Sequence, residues 1–349
     1  MKRRSLLTVI ASICLILIFL VSMALVPSCA KEGAPPAGAP TYNWKTSTNE
    51  GPEWPSSIYV LEWIDLIKNK SDGRINITPY WADALGDWVW VMEQVMRGEI
   101  ESASNPLPTD VDPKLNASHM MYLFIGYDGA KKLLGPGGKL FGVYKDLLAA
   151  DNMYLLGSFP TGAYGITSKE KVVRNPDQAK GVKCRTMPVK ACELGVGAMG
   201  FSAVPIPFSE LYTALQTGIV DARAEATPVE PMMFKDVTSV HIMTYDNFEL
   251  HWTVWNLDLW NSLSKQDQKI IQDAVSERSK WWWDHYLEKV EKPYLDEYAA
   301  LPGKQVVYLT DDEIKVFAKR VREQAWPKIK ELIGADVYDL MVANAEPLD

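Results

Sequence analysis

The chain has 349 residues, 47% hydrophobic content and a formal charge of −8, which is material for about two domains. Losing Lys2, Arg3 and Arg4 with an export segment would take the charge to −11. No Lys/Arg cluster follows, which argues against a nucleic-acid partner. His119, His241, His251 and His285 lack His-x-His or His-Glu-x-x-His spacing, so a zinc site is unsupported, and no Gly-x-Ser-x-Gly or phosphate-loop pattern is found.

The amino terminus reads as an export signal. Lys2, Arg3 and Arg4 precede an apolar run from Leu6 to Val26, followed by Val26-Pro-Ser-Cys29. A small residue before cysteine at the end of such a run resembles a bacterial lipobox, although Pro27 is unusual in one. Two readings stay open. Residues 1–28 are a cleaved signal and Cys29 is acylated, or the run is an uncleaved anchor. Both leave the folded part outside the cytoplasmic membrane and tethered to it, periplasmic or extracytoplasmic. Residues 29–41 lack apolar periodicity and read as a flexible spacer.

From Tyr42 the pattern alternates strand and helix. A strand is expected over Tyr42–Thr48, then a helix from Trp54-Pro55 to Lys70 with Ile58, Leu61, Trp63, Ile64, Leu66 and Ile67 at helical spacing. Arg74–Tyr80 alternates as a strand. Trp88–Arg97 is a helix closed by Gly98, and Glu101–Asn105 is a short strand. Lys139–Ala150 is a helix and Tyr154–Phe159 a strand. A second unit starts near Tyr164, with strand Val182–Arg185, helix Lys190–Met199, helix Ser209–Thr217 ended by Gly218, and strand Ile219–Ala222. A helix capped at Ser264 runs to about Tyr298 with a break at Pro293. Strand Val306–Leu309 and a last helix over Asp311–Leu332 complete the pattern. This succession predicts an α/β protein with mainly parallel sheets and a ligand crevice at strand carboxyl ends. Cys184 and Cys192 are expected to be small buried apolar residues rather than a disulfide.

One residue carries most of the functional reading. Arg185 ends a short buried-looking strand in a chain without a visible catalytic set. A well-placed guanidinium holds a carboxylate without reacting with it, which points to a solute receptor rather than an enzyme. Glu225 sits among Ala222, Ala224, Ala226 and Thr227, small neighbours that permit close approach, or it is a solvated loop acid. Arg223, two residues earlier, is expected on the opposite face. Trp54, Trp81, Trp88 and Trp252 lie near element ends, where aromatic faces suit an aliphatic or ring-shaped ligand body. Asn105 is a ligand donor or a turn residue before Pro106. Tyr164 offers a hydroxyl to a carboxylate or simply packs. Trp281, Trp282 and Trp283 fan around one helix, so they are expected to serve packing and surface.

Taken together, Lys70-Ser-Asp-Gly-Arg-Ile-Asn-Ile77, Leu85-Gly86, Pro176–Arg185, Pro207–Asp221, Trp260-Asn-Ser-Leu-Ser-Lys-Gln-Asp-Gln268 and Leu309-Thr-Asp-Asp-Glu313 resemble, in order and spacing, the solute-binding proteins of tripartite ATP-independent periplasmic (TRAP) transporters, the DctP family. The resemblance covers about residues 42–335. It implies a two-lobed periplasmic-binding-protein fold with strands exchanged between lobes and a long helix spanning both. Lobe I would comprise 42–162 plus about 251–290, and lobe II 163–250 plus about 291–349. It further implies capture of an organic anion and delivery to a TRAP permease. The family's ligand arginine falls on Arg185, its ligand-packing aromatic on Phe208, and its polar residue after the Val-Asp pair on Glu225, where many relatives carry asparagine. A second arginine of many relatives falls on Gly165, so a second cationic anchor is expected to be missing. These departures favour a monocarboxylate, aromatic or a 2-oxo or hydroxy acid, with an amine or a metal ion held by Glu225 as options. No cofactor is otherwise implied. The competing readings are an enzyme on this scaffold with Glu225 as general base, which lacks a visible partner acid, and a sensor-type binding module.

Overall fold

Apolar alternation sets the strands, and their pairing sorts them into two sheets. The computed structural model describes Gly38 and residues 40–348, and Pro40–Asp349 is one compact unit. The signal segment and Cys29 lie outside the described residues. Strands are numbered in chain order. The first sheet holds β1 (Tyr42–Ser47), β2 (Ile75–Tyr80), β3 (Ser102–Asn105), β4 (Met153–Ala163) and β10 (Phe248–Asn256), in the order β2-β1-β3-β10-β4. The second holds β5 (Gly165–Ser168), β6 (Lys183–Thr186), β7 (Ser202–Pro205), β8 (Ala222–Ala226), β9 (Val240–Met243) and β11 (Gln305–Tyr308), in the order β11-β9-β5-β8-β6-β7.

Local signals explain the helices that flank them. The Pro55–Lys70 helix begins with proline at its first position and ends with Lys68 and Lys70 against its negative pole. It buries Tyr59, Val60, Trp63, Ile64 and Ile67, a stripe of helical period. The Trp88–Arg97 helix is capped by Asp87, which accepts from the Val89 and Trp90 amides at 3.0 Å, and Gly98 closes it at φ 79°. Leu309-Thr-Asp-Asp-Glu313 is a capping box: Thr310 and Glu313 satisfy each other's amides at the start of the Asp311–Gln324 helix.

Two strand crossovers join the sheets. β4 runs straight into β5 at Tyr164, and β9 returns through Thr244–Asn247 into β10. The crossovers bond to each other: the Tyr164 amide donates to Asn247 O at 2.9 Å, and the Tyr245 amide donates to Tyr164 O at 3.0 Å. A third passage is helical. The Lys265–Tyr286 helix packs on the Pro55–Lys70 helix and β4, and after a π-helical turn over Leu287–Glu291 the Lys292–Ala299 helix packs on β11 and the short Glu230–Met233 helix. Pro293, which has no amide to donate, directly follows the π-helical turn in a helix that continues unbroken through it. The exchanged strands and spanning helix are those that the family resemblance implied.

Several expectations need correction. The sheets are mainly parallel, as expected, but each carries one reversed strand: β10 pairs antiparallel with both β3 and β4, and β5 with both β8 and β9. Direct crossovers without an intervening helix reverse the strand direction. The strand expected at Ile219–Ala222 lies at Ala222–Ala226, because Gly218 at φ 77° caps the preceding helix and residues 219–221 are spent on the turn. The last helix stops at Gln324 and restarts at Trp326-Pro327, and a further helix covers Ala335–Asn344. That terminal helix, assigned with 291–349 to lobe II, packs on the Lys139–Ala150 helix and on the 3₁₀ segment Pro113–His119. Both Cys184 and Cys192 are buried and free. Trp282 and Trp283 are buried and donate their indole N–H groups to Pro160 O and Ser158 O of β4.

Trp63 sits at the centre of the first lobe, fully buried, its ring edge-on to Trp255 at 5.4 Å. Its indole nitrogen is buried without a hydrogen-bond partner. Trp63→Ala is expected to cost about 3–5 kcal/mol in denaturant unfolding. Trp63→Phe should cost under about 1.5 kcal/mol, because it removes an unsatisfied N–H together with part of the ring.

Candidate functional site

The register of the second sheet builds the site. β6 lies parallel to β8 with Arg185 opposite Arg223. Paired residues on neighbouring strands point to the same face, so two guanidinium groups share one wall. Each side chain is only 2% exposed. Burying two like charges side by side demands counter-charge, and the chain supplies it unequally.

Arg223 is paired within its own lobe. Its Nη1 lies 2.7 Å from Glu230 Oε1, and its Nη2 donates to Glu225 O at 2.7 Å. Glu230 is held in turn by the Thr227 amide, 2.6 Å, and hydroxyl, 3.1 Å. Arg185 uses only its Nε, which donates to Ile206 O at 2.9 Å. No carboxylate among the described residues comes within ion-pair distance of it. Burial, then Arg223 beside it, lowers the Arg185 pKa, while Glu225 and Glu230 offset the effect; a guanidinium stays charged throughout. Its terminal nitrogens face a cavity of about 680 Å³, which both sheets line.

Glu225 owes its position to backbone strain. It adopts φ 52°, in the left-handed region, at the register shift where β8 opposes Gly165 and Thr167 of β5. Such a conformation costs a non-glycine residue about 1–3 kcal/mol. The bulge re-aims the carboxylate across the strand ends. Oε1 accepts from the Thr186 hydroxyl at 2.7 Å and Oε2 from the Met187 amide at 3.1 Å. Burial raises its pKa, and Arg185 and these hydrogen bonds pull it back. Glu225 therefore ties β6 to β8 and steadies Arg185; it is neither a loop acid nor a free base. Among the described residues no group of three or more His, Cys, Asp or Glu side chains is placed to hold a metal ion.

The other expected residues divide. Tyr164, Phe208, Trp54 and Trp252 line the cavity with Arg185 and Glu225. Phe208, 46% exposed, stands at the rim, its ring 5.9 Å from the Arg223 guanidinium carbon and edge-on to Phe234 at 6.0 Å. Trp252 is buried against the Tyr144 ring at 4.7 Å. Trp81 lies outside the lining and packs against the core. Asn105 is also outside it. It is fully buried, and its Oδ1 accepts from the Asn49 amide at 2.8 Å, which positions the Asn49–Gly51 segment that does line the cavity.

Sequence reasoning missed Arg223, Glu230, Glu50, Glu249 and His119, all lining residues. Arg223 does not face away; it is the second guanidinium of the site. The family's position for it, Gly165, is closed, since a Cβ there would stand 2.6 Å from Ile242 O and 2.9 Å from the His241 ring. The charge arrives from the next strand instead, and Glu230 cancels it.

A profile of the family "Bacterial extracellular solute-binding protein, family 7" (DctP) matches residues 46–331. The chain belongs to this family. The ectoine/5-hydroxyectoine-binding periplasmic protein UehA of Ruegeria pomeroyi is 25% identical over 305 residues, covering 83% of this chain and 86% of the relative. The structure of the ectoine-binding protein of the TeaABC TRAP transporter of Halomonas elongata superposes with a TM-score of 0.77 at 21% identity, covering 87% of this chain and 99% of that one. A TRAP solute-binding protein from a Sulfitobacter species, with bound β-D-galacturonate, gives a TM-score of 0.75 at 18% identity, covering 86% and 100%. This DctP-family chain is thus a TRAP solute-binding protein, of a periplasmic family that binds small ligands and delivers them to a permease. Among the described residues no helix is long and apolar enough to cross a membrane.

Removing Arg223 would leave Glu230 buried and unpaired, so Arg223→Met is expected to destabilise the ligand-free protein by about 3–5 kcal/mol. The double substitution Arg223→Met with Glu230→Met should recover most of that loss, as read from chemical denaturation of the set.

Proposed function

We propose that this receptor captures an organic acid through a single carboxylate, clamped by Arg185, and passes it on chemically unchanged to its permease. The observation that carries this reading is the asymmetry of the arginine pair. Arg223 is neutralised by Glu230, whereas Arg185 presents its terminal nitrogens to the cavity with no carboxylate on them. A fork of N–H donors held by its own Nε bond is prepared for a bidentate carboxylate. With Arg223 already neutralised, one free cation suits one carboxylate, and a dicarboxylate would leave its second end without a partner. Tyr164 adds a hydroxyl close to the same wall, and Phe208, Trp54 and Trp252 supply faces for the body of the ligand. About 680 Å³ suits a compact acid with room for bound water.

Closure of the lobes about the Tyr164 and Tyr245 crossovers would bury the ion pair and strengthen it. A metal held by Glu225, or proton abstraction by it, draws no support from this geometry, because both carboxylate oxygens already accept hydrogen bonds. The tether through Cys29 rests on the Val26–Cys29 motif and the apolar run before it.

Arg185→Ala is expected to cost about 2–5 kcal/mol of binding, roughly 30-fold or more in affinity, with the melting profile of the ligand-free protein little changed. Titration calorimetry against a carboxylate panel, with native mass spectrometry of any co-purified ligand and metal, checks both halves. Undiminished affinity in the variant would refute the assignment.

A further inference from the structure

The cavity wall built by the first lobe carries carboxyl groups that the carboxylate clamp does not use. Of the five glutamates that line the cavity with Arg185 and Arg223, Glu225 and Glu230 are spent within the second lobe and Glu53 is exposed at the cavity's edge. Glu50 and Glu249 are neither. Glu50 follows β1 and is 9% exposed, with its Oε2 buried and without a hydrogen-bond partner. The nearest basic group is His251 Nε2, 3.8 Å from Oε1, beyond hydrogen-bond reach. Glu249 sits in β10 at a register shift against β4 and lines the same cavity. An orphaned buried carboxyl is costly unless a ligand completes it.

A ligand bearing only a carboxylate would satisfy Arg185 and leave these two acids without a partner. We propose that Glu50 and Glu249 form a cation-recognising subsite, and that the natural ligand carries a protonated amine or amidine as well as its carboxylate. This rests on the carboxylate reading above and adds the second pole of the ligand. It also moves the expected amine contact from Glu225, which is fully bonded, to the opposite lobe. A ligand with poles of opposite sign bridges the two lobes, so each end rewards closure.

The subsite has a proton linkage. Burial, with Glu249 and Glu230 adding to it, raises the Glu50 pKa well above the usual carboxylate range. Burial and then Glu230 push Glu249 up to about 8, with Glu225 adding to the rise and Arg223 and Arg185 opposing it. The histidines nearby do not supply charge: burial lowers His119 to about 4 and His251 to about 3. Without ligand, Glu249 therefore holds a proton below about pH 8. A cationic group favours the ionised form, so binding releases that proton. Affinity then rises as pH climbs toward about 8 and levels above it, the two acids titrating as a coupled set.

The test is calorimetry on the folded receptor at pH 6, 7 and 8, in buffers of different ionisation enthalpy. The probes are ectoine and β-alanine, which carry a cation and a carboxylate, and D-galacturonate and orotate, whose bodies are uncharged. Wild type is compared with Glu50→Gln, Glu249→Gln and Arg185→Ala. Glutamine mimics a protonated glutamate, so the two glutamine variants should fold, which thermal unfolding confirms. The expected result is binding of a zwitterionic probe with proton release, affinity about tenfold or more weaker at pH 6 than at pH 8, and a loss of tenfold or more in each glutamine variant. Binding of an uncharged-body acid only, binding of none of the four, or zwitterion affinity indifferent to both glutamine variants would overturn the subsite. If Arg185→Ala still abolishes binding in that last case, the carboxylate reading stands and the subsite alone fails; if Arg185→Ala is harmless, the underlying reading fails as well.

Discussion

The site depends on one lateral contact, the pairing of β6 with β8 that sets Arg185 beside Arg223. Two buried guanidinium groups on one wall repel, and the wall survives only because acids are distributed among them. Glu230 takes Arg223 outright, and Glu225 lends partial compensation to both while bonded to Thr186 and Met187. What is left over is a single cation directed at open space. The cation offered to the cavity is thus the residue of an incomplete internal neutralisation.

That arrangement explains why strain is tolerated at Glu225. A regular β8 would have kept its strict alternation, with no reason for the carboxylate to reach the carboxyl end of β6. The bulge at φ 52° sends it there. The local cost is offset by two hydrogen bonds and by the electrostatic relief of two arginines. The crossovers matter for the same reason. Tyr164 and Tyr245 join the lobes through reciprocal backbone hydrogen bonds, and the helical passage over Lys265–Ala299 adds a third link. The cavity lies between walls of unlike composition: arginines with their acids on one, Glu50 and Glu249 on the other.

Much of this was legible in the chain. Helices at Pro55–Lys70, Trp88–Arg97 and Lys139–Ala150 follow from apolar period and end signals, and their observed limits agree with those signals to within a residue. The capping box at Thr310 and the cap at Ser264 are short-range chemistry, which sequence displays directly. Arg185 stood out because it closes a short strand in a segment with the family's order of motifs. The strands that were missed, β5, β7, β9 and β10, are short or carry polar residues such as His241 and His251, whose burial depends on partners far along the chain. Asn105 and Trp81 read as ligand contacts because they end strands, yet one is consumed in holding Asn49 and the other in packing.

The sequence by itself determined the elements with local causes and the family, and it singled out the arginine proposed to meet the ligand, since caps, periodicity and motif order act over a few residues. Only the tertiary structure decided the rest: that Arg223 shares a wall with Arg185, that Glu225 is bonded rather than free, and that Glu50 and Glu249 meet in one cavity. The reason is physical. Strand register and burial are set by pairings between residues tens to hundreds of positions apart, and a charge buried in such a pairing looks, in the linear chain, like any charge on a solvated surface.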